Sequence, residues 1–191
     1  MSPNVSIQLQ RYGNKFSEKY SLYLQKNNIP MHRKATQNDL QFIYDLYMHP
    51  QVNPFLLYEM MDLEEFKPIF NDLLTNGVEY IFMDDDGLPV GMFKLEISKH
   101  RLSHLAYLGG VAIHPNYSGK GFGRKMLKEV INLANQQGYK RLELSVATEN
   151  LKAIELYKKV GFEAEGILRK YTYLKREGRF LDELLMSYIL E

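Results

Sequence analysis

The stretch HPNYSGKGFGRKML, His114 to Leu127, holds glycines at alternate positions, Gly119, Gly121 and Gly123, with Lys120, Arg124 and Lys125 among and after them. An amphipathic run follows at once. A helix N-terminus presents unpaired N–H groups and a partial positive charge. Glycine adopts dihedrals closed to other residues and lets a ligand approach the main chain. A strand, a glycine turn and a helix in that order suit an anion, most naturally a phosphate. The plainer reading is a tight strand-to-helix turn. The spacing fits neither G-x-G-x-x-G nor the phosphate-loop pattern that ends in Lys-Ser or Lys-Thr.

A second block, NLKAIELYKKVGF, begins at Asn150. Asn150 suits a helix N-cap. Tyr157 shares a helical face with Ile154 and Val160 and reads as a core aromatic whose phenol needs a hydrogen-bond partner when buried. Glu96 on VGMFKLEIS reads as a solvated strand residue, and His104, just before the next strand, as a loop histidine. The five histidines show no metal-ligand spacing and there is no cysteine, so no metal, disulfide or thiol nucleophile is expected.

These groups need a frame. The 191 residues, 45% apolar and 25% charged, are enough for one domain with a real core. The net charge of 24 − 23 = +1 gives no footprint for nucleic acid or an acidic membrane surface. No signal peptide and no bilayer-spanning run is seen, so a cytoplasmic protein is expected. VSIQLQ alternates like a strand, and KFSEKYSLYL reads as helix or strand. From Met31 the pattern sharpens. Thr36 stands three residues before Asp39, a capping-box start, and Leu40, Ile43, Tyr44 and Tyr47 share a helical face. LEEFKPIFNDLL predicts a second helix, begun or kinked at Pro68. Asp85-Asp86-Gly87 joins two strands. LAYLGGVAIHP is a strand, the glycine turn and a helix ending at Gly138 follow, RLELSVA is a strand, and a helix from Asn150 stops at Gly161. Two strands around Glu177-Gly178 close the chain. The order predicts an α/β or α+β domain around a mixed sheet.

With these blocks in place, VAIHPNYSGKGFGRKML resembles the cofactor motif of the GNAT N-acetyltransferases, a strand, a Q/R-x-x-G-x-G/A turn and a helix. Gly121 and Gly123 match its two glycines, and Ser118 stands where Gln or Arg is usual. NLKAIELYKKVGF is similar to the family's other common block at each marked position, and MHRKATQNDL to its first strand and helix start. The likeness runs from Met31 to Glu191, which leaves residues 1–30 as an extension before an acetyltransferase domain, 31–191.

The resemblance implies a mostly antiparallel sheet that splays between two parallel strands, with acetyl-coenzyme A in the opening. It implies that Val111, Ala112 and Ile113 offer main-chain groups to the pantetheine arm. Ser118, Gly119, Lys120, Gly121, Phe122, Gly123 and Arg124 would hold the pyrophosphate. Asn150 would contact the arm, Tyr157 would serve as catalytic acid at the sulfur, and an amine that must lose a proton has Glu96 as the first candidate base and His104 as the second. The acceptor implied is a primary amine that attacks directly in a ternary complex. A small amine or amino acid is preferred, with Arg101, Arg169 or Arg179 to meet a carboxylate. A peptide N-terminus in a groove walled by Asn53–Met61, or a coenzyme A-binding module without catalysis, are the alternatives. The ending Gly178–Met186 resembles the branch that includes L-amino acid and ribosomal-protein N-terminal acetyltransferases. Tyrosine-rich strands near the C-terminus also suit a homodimer.

Overall fold

The structure is a computed structural model that describes residues 31–191. The strand in VSIQLQ and the element in KFSEKYSLYL lie outside the described residues, as does the expected extension. The strands are β1 (His32–Lys34), β2 (Glu79–Met83), β3 (Pro89–Ile97), β4 (Leu105–Ile113), β5 (Arg141–Ala147), β6 (Glu163–Leu174) and β7 (Arg179–Ile189). The helices are α1 (Leu40–Tyr47), α2 (Leu63–Asn76), α3 (Phe122–Gln136) and α4 (Leu151–Val160). One sheet runs in the order β1-β2-β3-β4-β5-β7-β6. Neighbours are antiparallel except β4 and β5, which are parallel. This is the mixed, mostly antiparallel sheet anticipated above.

Local chemistry sets the boundaries. Before α1, Asp39 accepts from the Thr36 amide and hydroxyl at 2.8 and 2.9 Å and from both Arg33 guanidinium nitrogens at 2.7 and 2.8 Å. Burial would raise the Asp39 carboxyl, but the Arg33 and Thr36 bonds outweigh it and leave it below the usual range. Asp62 and Glu65 form a capping box at the start of α2, and Gly77, at φ 60°, ends it. Pro68 therefore does not start the helix. It sits inside α2, where it lacks only the N–H that would have reached back one turn.

The sheet separates two cores. On one face α3 and α4 pack Met126, Leu127, Val130 and Tyr157 against Phe82, Phe93, Leu108 and Leu144. On the other, α1 and α2 pack Ile43, Leu46, Tyr47, Phe66 and Phe70 against Ile81 and Met92. β2 is buried on both sides, which is why EYIFM reads as a near-continuous apolar run rather than an alternation.

Candidate active site

The site begins with a failure of pairing. β4 and β5 are in register only from Leu105–Tyr107 against Arg141–Glu143. Beyond Tyr107 they part, while β5 stays paired with β7 as far as Ala147 opposite Glu183. The cause lies in LGGV. The β3–β4 register slips between Met92 and Lys94, so Gly110 and Val111 together oppose one residue of β3, and Gly110 takes φ 57°. Such a bulge bends and twists its strand. A Cβ on Gly110 would stand 2.7 Å from the Tyr47 hydroxyl, so α1 packs against the bulge itself.

The parted strands enclose a cleft of about 300 Å³. Glu96, Val111, Asn150 and Tyr157 all line it, so the fold brings together candidate residues spread over about sixty positions of sequence, and Ala153 joins them. Ala112 and Ile113 continue the β4 edge that β5 has left. The rest of the wall comes from the segment Pro54–Leu57, from Tyr171 and Thr172 on β6, and from Leu181 and Glu183 on β7.

At the end of β4 a single 3₁₀ turn, Pro115–Tyr117, leads through Ser118 to the glycines. Gly119 and Gly121 have φ 74° and 84°, in the left-handed region. Gly121 is the N-cap of α3, and no side chain caps the helix. The first intrahelical bond is Lys125 N–H to the Gly121 carbonyl at 3.1 Å, so the amides of Phe122, Gly123 and Arg124 precede it. A Cβ on Gly119 or Gly121 would meet nothing within 4 Å, whereas one on Gly123 would stand 3.0 Å from Leu156. Gly123 therefore serves helix packing. Gly119 and Gly121 leave open space beside the unpaired amides, a kind of place that suits an anion. Of the three cations, Lys125 is turned away, with Nζ 3.2 Å from Asp85 in the β2–β3 turn. Lys120 lies over the Tyr117 ring at 5.4 Å, and Arg124 is exposed.

Asn150 caps α4, its Oδ1 accepting from the Ala153 amide at 3.2 Å, while the residue also lines the cleft. Tyr157 is 7% exposed. Burial, with the neighbouring Tyr107 adding to it, holds its phenol well above the ordinary range, so it stays protonated. Its ring meets Phe162 edge-on at 5.8 Å. The phenol is thus both the core aromatic and the hydroxyl at the cleft.

Glu96 is half exposed and pairs with Lys94 at 3.0 Å. Lys94 is buried, and burial works against its charge, but Tyr58, Glu96 and Glu79 more than restore it. Glu79 of β2, the residue opposite Lys94 in the β2–β3 pair, is 1% exposed, takes a 3.3 Å bond from the Tyr47 hydroxyl, and leaves Oε1 without a partner. Burial pushes its carboxyl up to about 8. His104 is exposed at the opposite end of β4 from the opening and does not line the cleft. Arg179 is forked onto Glu149 and also bonds Glu177. Neither it, Arg101 nor Arg169 lines the cleft. Of the segment Asn53–Met61, Pro54–Leu57 line the cleft. Asn53 ties the segment to the Tyr47 and Tyr58 carbonyls, and the β6–β7 turn holds it through Lys175 N–H to Glu59 at 2.9 Å and Arg176 to the Met60 carbonyl at 2.8 Å.

One group escapes any sequence reading. The Tyr107 hydroxyl lies 2.7 Å from Ser145 Oγ, which donates to Glu183 Oε2, and Glu183 Oε1 accepts from Thr172 at 2.5 Å. These residues come from four strands, and only the fold joins them. Among the described residues no cluster of three or more acidic or histidine side chains could hold a metal ion, and no helix is long and apolar enough to cross a membrane.

Known proteins share this fold. Residues 40–162 match the model of the Acetyltransferase (GNAT) family. An L-amino acid N-acetyltransferase of Escherichia coli is 30% identical over 115 residues, 59% of this chain and 69% of that one. A spermidine N(1)-acetyltransferase of Vibrio cholerae is 26% identical over 161 residues, 83% and 91% of the two chains. Among solved structures, spermidine N-acetyltransferase from V. cholerae in complex with CoA and spermine superposes with a TM-score of 0.72 at 25% identity, covering 83% of this chain and 94% of that one.

Proposed function

The chain belongs to the GNAT acetyltransferase family and is an N-acetyltransferase, and from that premise we propose that it moves an acetyl group from acetyl-coenzyme A to a small primary amine by direct attack in a ternary complex. The observation that carries this reading is the cleft itself. One strand edge there is free of its neighbour, Asn150 and Tyr157 sit on its wall, and the same strand leads on through Ser118 to a helix N-terminus that no side chain caps.

Bound acetyl-coenzyme A supplies an activated acyl group on sulfur. The residues present fit it. The amides from Gly119 to Arg124 would hold its diphosphate, and the free edge of β4 at Val111–Ile113 would pair with its amide-bearing arm as with an added strand. Asn150 would orient that arm. Tyr157, kept neutral by burial, would hand its hydroxyl hydrogen to the departing sulfur. Its retention speaks for catalysis over a binding module of the same fold.

The acceptor side supports an amine without a carboxylate. An amino acid calls for a cation to meet its carboxylate, and among the described residues no guanidinium lines the cleft. Its one lysine, Lys94, already pairs with Glu96. A peptide N-terminus finds support in the apolar rim of Phe55 and Leu57, which are 49% and 70% exposed. A cytoplasmic location and a homodimer stay part of the proposal, the latter supported by the exposed Ile167, Tyr171 and Tyr173 on β6.

The test is thiol release from acetyl-coenzyme A across spermidine, simple diamines, L-amino acids and alanyl peptides, with calorimetric cofactor binding in parallel. Release that depends on a diamine or monoamine supports the reading. Release with amino acids alone would redirect the acceptor. Cofactor binding with no release on the whole panel would favour a binding module.

A further inference from the structure

β4 forms one wall of the cleft, yet from Leu105 to Ile113 it carries no carboxylate and no histidine. Its sole proton-bearing side chain is Tyr107, at the point where β5 departs. Glu96, half exposed, is already engaged by Lys94 at 3.0 Å. The Tyr107–Ser145–Glu183 chain is different. The Ser145 hydroxyl hydrogen is committed to Glu183, so in the 2.7 Å contact between Tyr107 and Ser145 the phenol must be the donor. The Ser145 amide in turn donates to the phenol oxygen at 3.2 Å. Every hydroxyl hydrogen in the chain therefore points toward Glu183, and Tyr107, Ser145, Thr172 and Glu183 all line the cleft.

We propose that Tyr107, Ser145 and Glu183 form the relay that takes the proton from the acceptor ammonium, with Glu183 as its terminal base. This rests on the acetyl-transfer reading. One N–H bond of the ammonium breaks toward the Tyr107 oxygen. The phenol hydrogen passes to Ser145 Oγ, the Ser145 hydrogen passes to Glu183 Oε2, and Glu183 releases it to solvent. The freed lone pair forms the bond to the acetyl carbon. As the carbon–sulfur bond breaks, Tyr157 gives its hydrogen to sulfur, and the second hydrogen shed by nitrogen replaces it. Thr172 fixes the other oxygen of Glu183 and so aims Oε2 at Ser145. The titratable groups that share the cleft with Glu183 are Lys94 and Glu96 from β3, Tyr107 from β4, Tyr171 from β6 and Tyr157 from α4.

The experiment compares Glu183→Gln with wild type, using spermidine or whichever panel amine wild type turns over fastest. Thiol release is followed from about pH 7 to about pH 9.5, where a free amine becomes roughly tenfold more abundant with each pH unit. The variant is expected to lose about 100-fold or more in kcat/KM for the amine at the neutral end, to bind acetyl-coenzyme A as wild type does, and to recover much of the deficit at the alkaline end. A loss equal at every pH would make Glu183 structural and overturn the relay. A variant within about threefold of wild type at neutral pH would do the same, as would a pH-dependent deficit found in Glu96→Gln instead. Wild type silent on every amine would remove the parent reading and the relay with it. Should Glu183→Gln fail to fold, Tyr107→Phe, which removes only the hydroxyl, is held to the same outcomes.

Discussion

The Tyr47 hydroxyl stands where a side chain on Gly110 would begin, at 2.7 Å. Helix α1 and the bulge of β4 are therefore one fitted joint, and that joint holds open the edge on which the cofactor arm would lie. Gly110→Ala meets this clash and also a φ of 57°. It is expected to destabilise by about 1–3 kcal/mol, as strained backbone does. Adding Tyr47→Phe should return part of that loss. Urea unfolding of both single variants and the double variant reads the coupling, and strictly additive losses would separate helix from bulge.

Gly121→Val tests the diphosphate cradle. The position is open, with nothing within 4 Å of a Cβ, so the substitution acts through φ 84° and by filling space on the ligand side. The protein should stay folded while acetyl-coenzyme A affinity falls by about tenfold or more, in line with 1–3 kcal/mol of backbone strain. Unchanged affinity by calorimetry would return the glycines to the role of a plain turn.

Tyr157→Phe removes one oxygen from a well-packed ring. Cofactor affinity should hold, and kcat should fall by about 100-fold, the scale of a lost general acid. Full turnover would leave Tyr157 as a packing residue beside Phe162.

Glu79 makes stability depend on pH. Its folded pKa of about 8 lies above its ordinary value. Its stabilising contribution is thus complete below the unfolded pKa, about 4.3, and is lost as pH rises through about 8. Glu79→Gln cannot ionise and keeps its shape. It should gain on the order of 1–3 kcal/mol relative to wild type between about pH 6 and about pH 9. Parallel stability curves for the two proteins across that window would contradict the assignment.

Glu59→Ala cuts one of the two ties between Asn53–Met61 and the β6–β7 turn. The acceptor KM should rise by about fivefold, the order of one newly mobile side chain and its loop, with acetyl-coenzyme A affinity unchanged. A matching loss of cofactor affinity would mean that the wall also serves the other half of the cleft.

Much of this molecule could be read along the chain, because its punctuation is local. Thr36 with Asp39, Asp85-Asp86-Gly87, Asn150 and Gly161 each act over a few residues, and each marks a real boundary. The glycines before α3 were legible for the same reason. What lay hidden needs distance. Lys125 looks like a phosphate ligand until the turn forty residues earlier brings Asp85 to it. LGGV reads as plain strand until β3 sets its register. Ser145 and Glu183 are thirty-eight residues apart and carry no pattern that links them.

The residues proposed for the two binding tasks share one cleft but come from different stretches of the chain. The residues proposed to hold the cofactor, from Val111 to Tyr157, all fall within the part that matches the family model, residues 40–162. The Thr172 and Glu183 wall lies beyond that boundary, on a terminal hairpin. A lineage could thus vary the short segment Pro54–Leu57 and the hairpin positions around Glu183, changing its diet of amines while keeping the proposed proton path and the hold on the acyl donor. The same seam offers a protein engineer a natural place to graft.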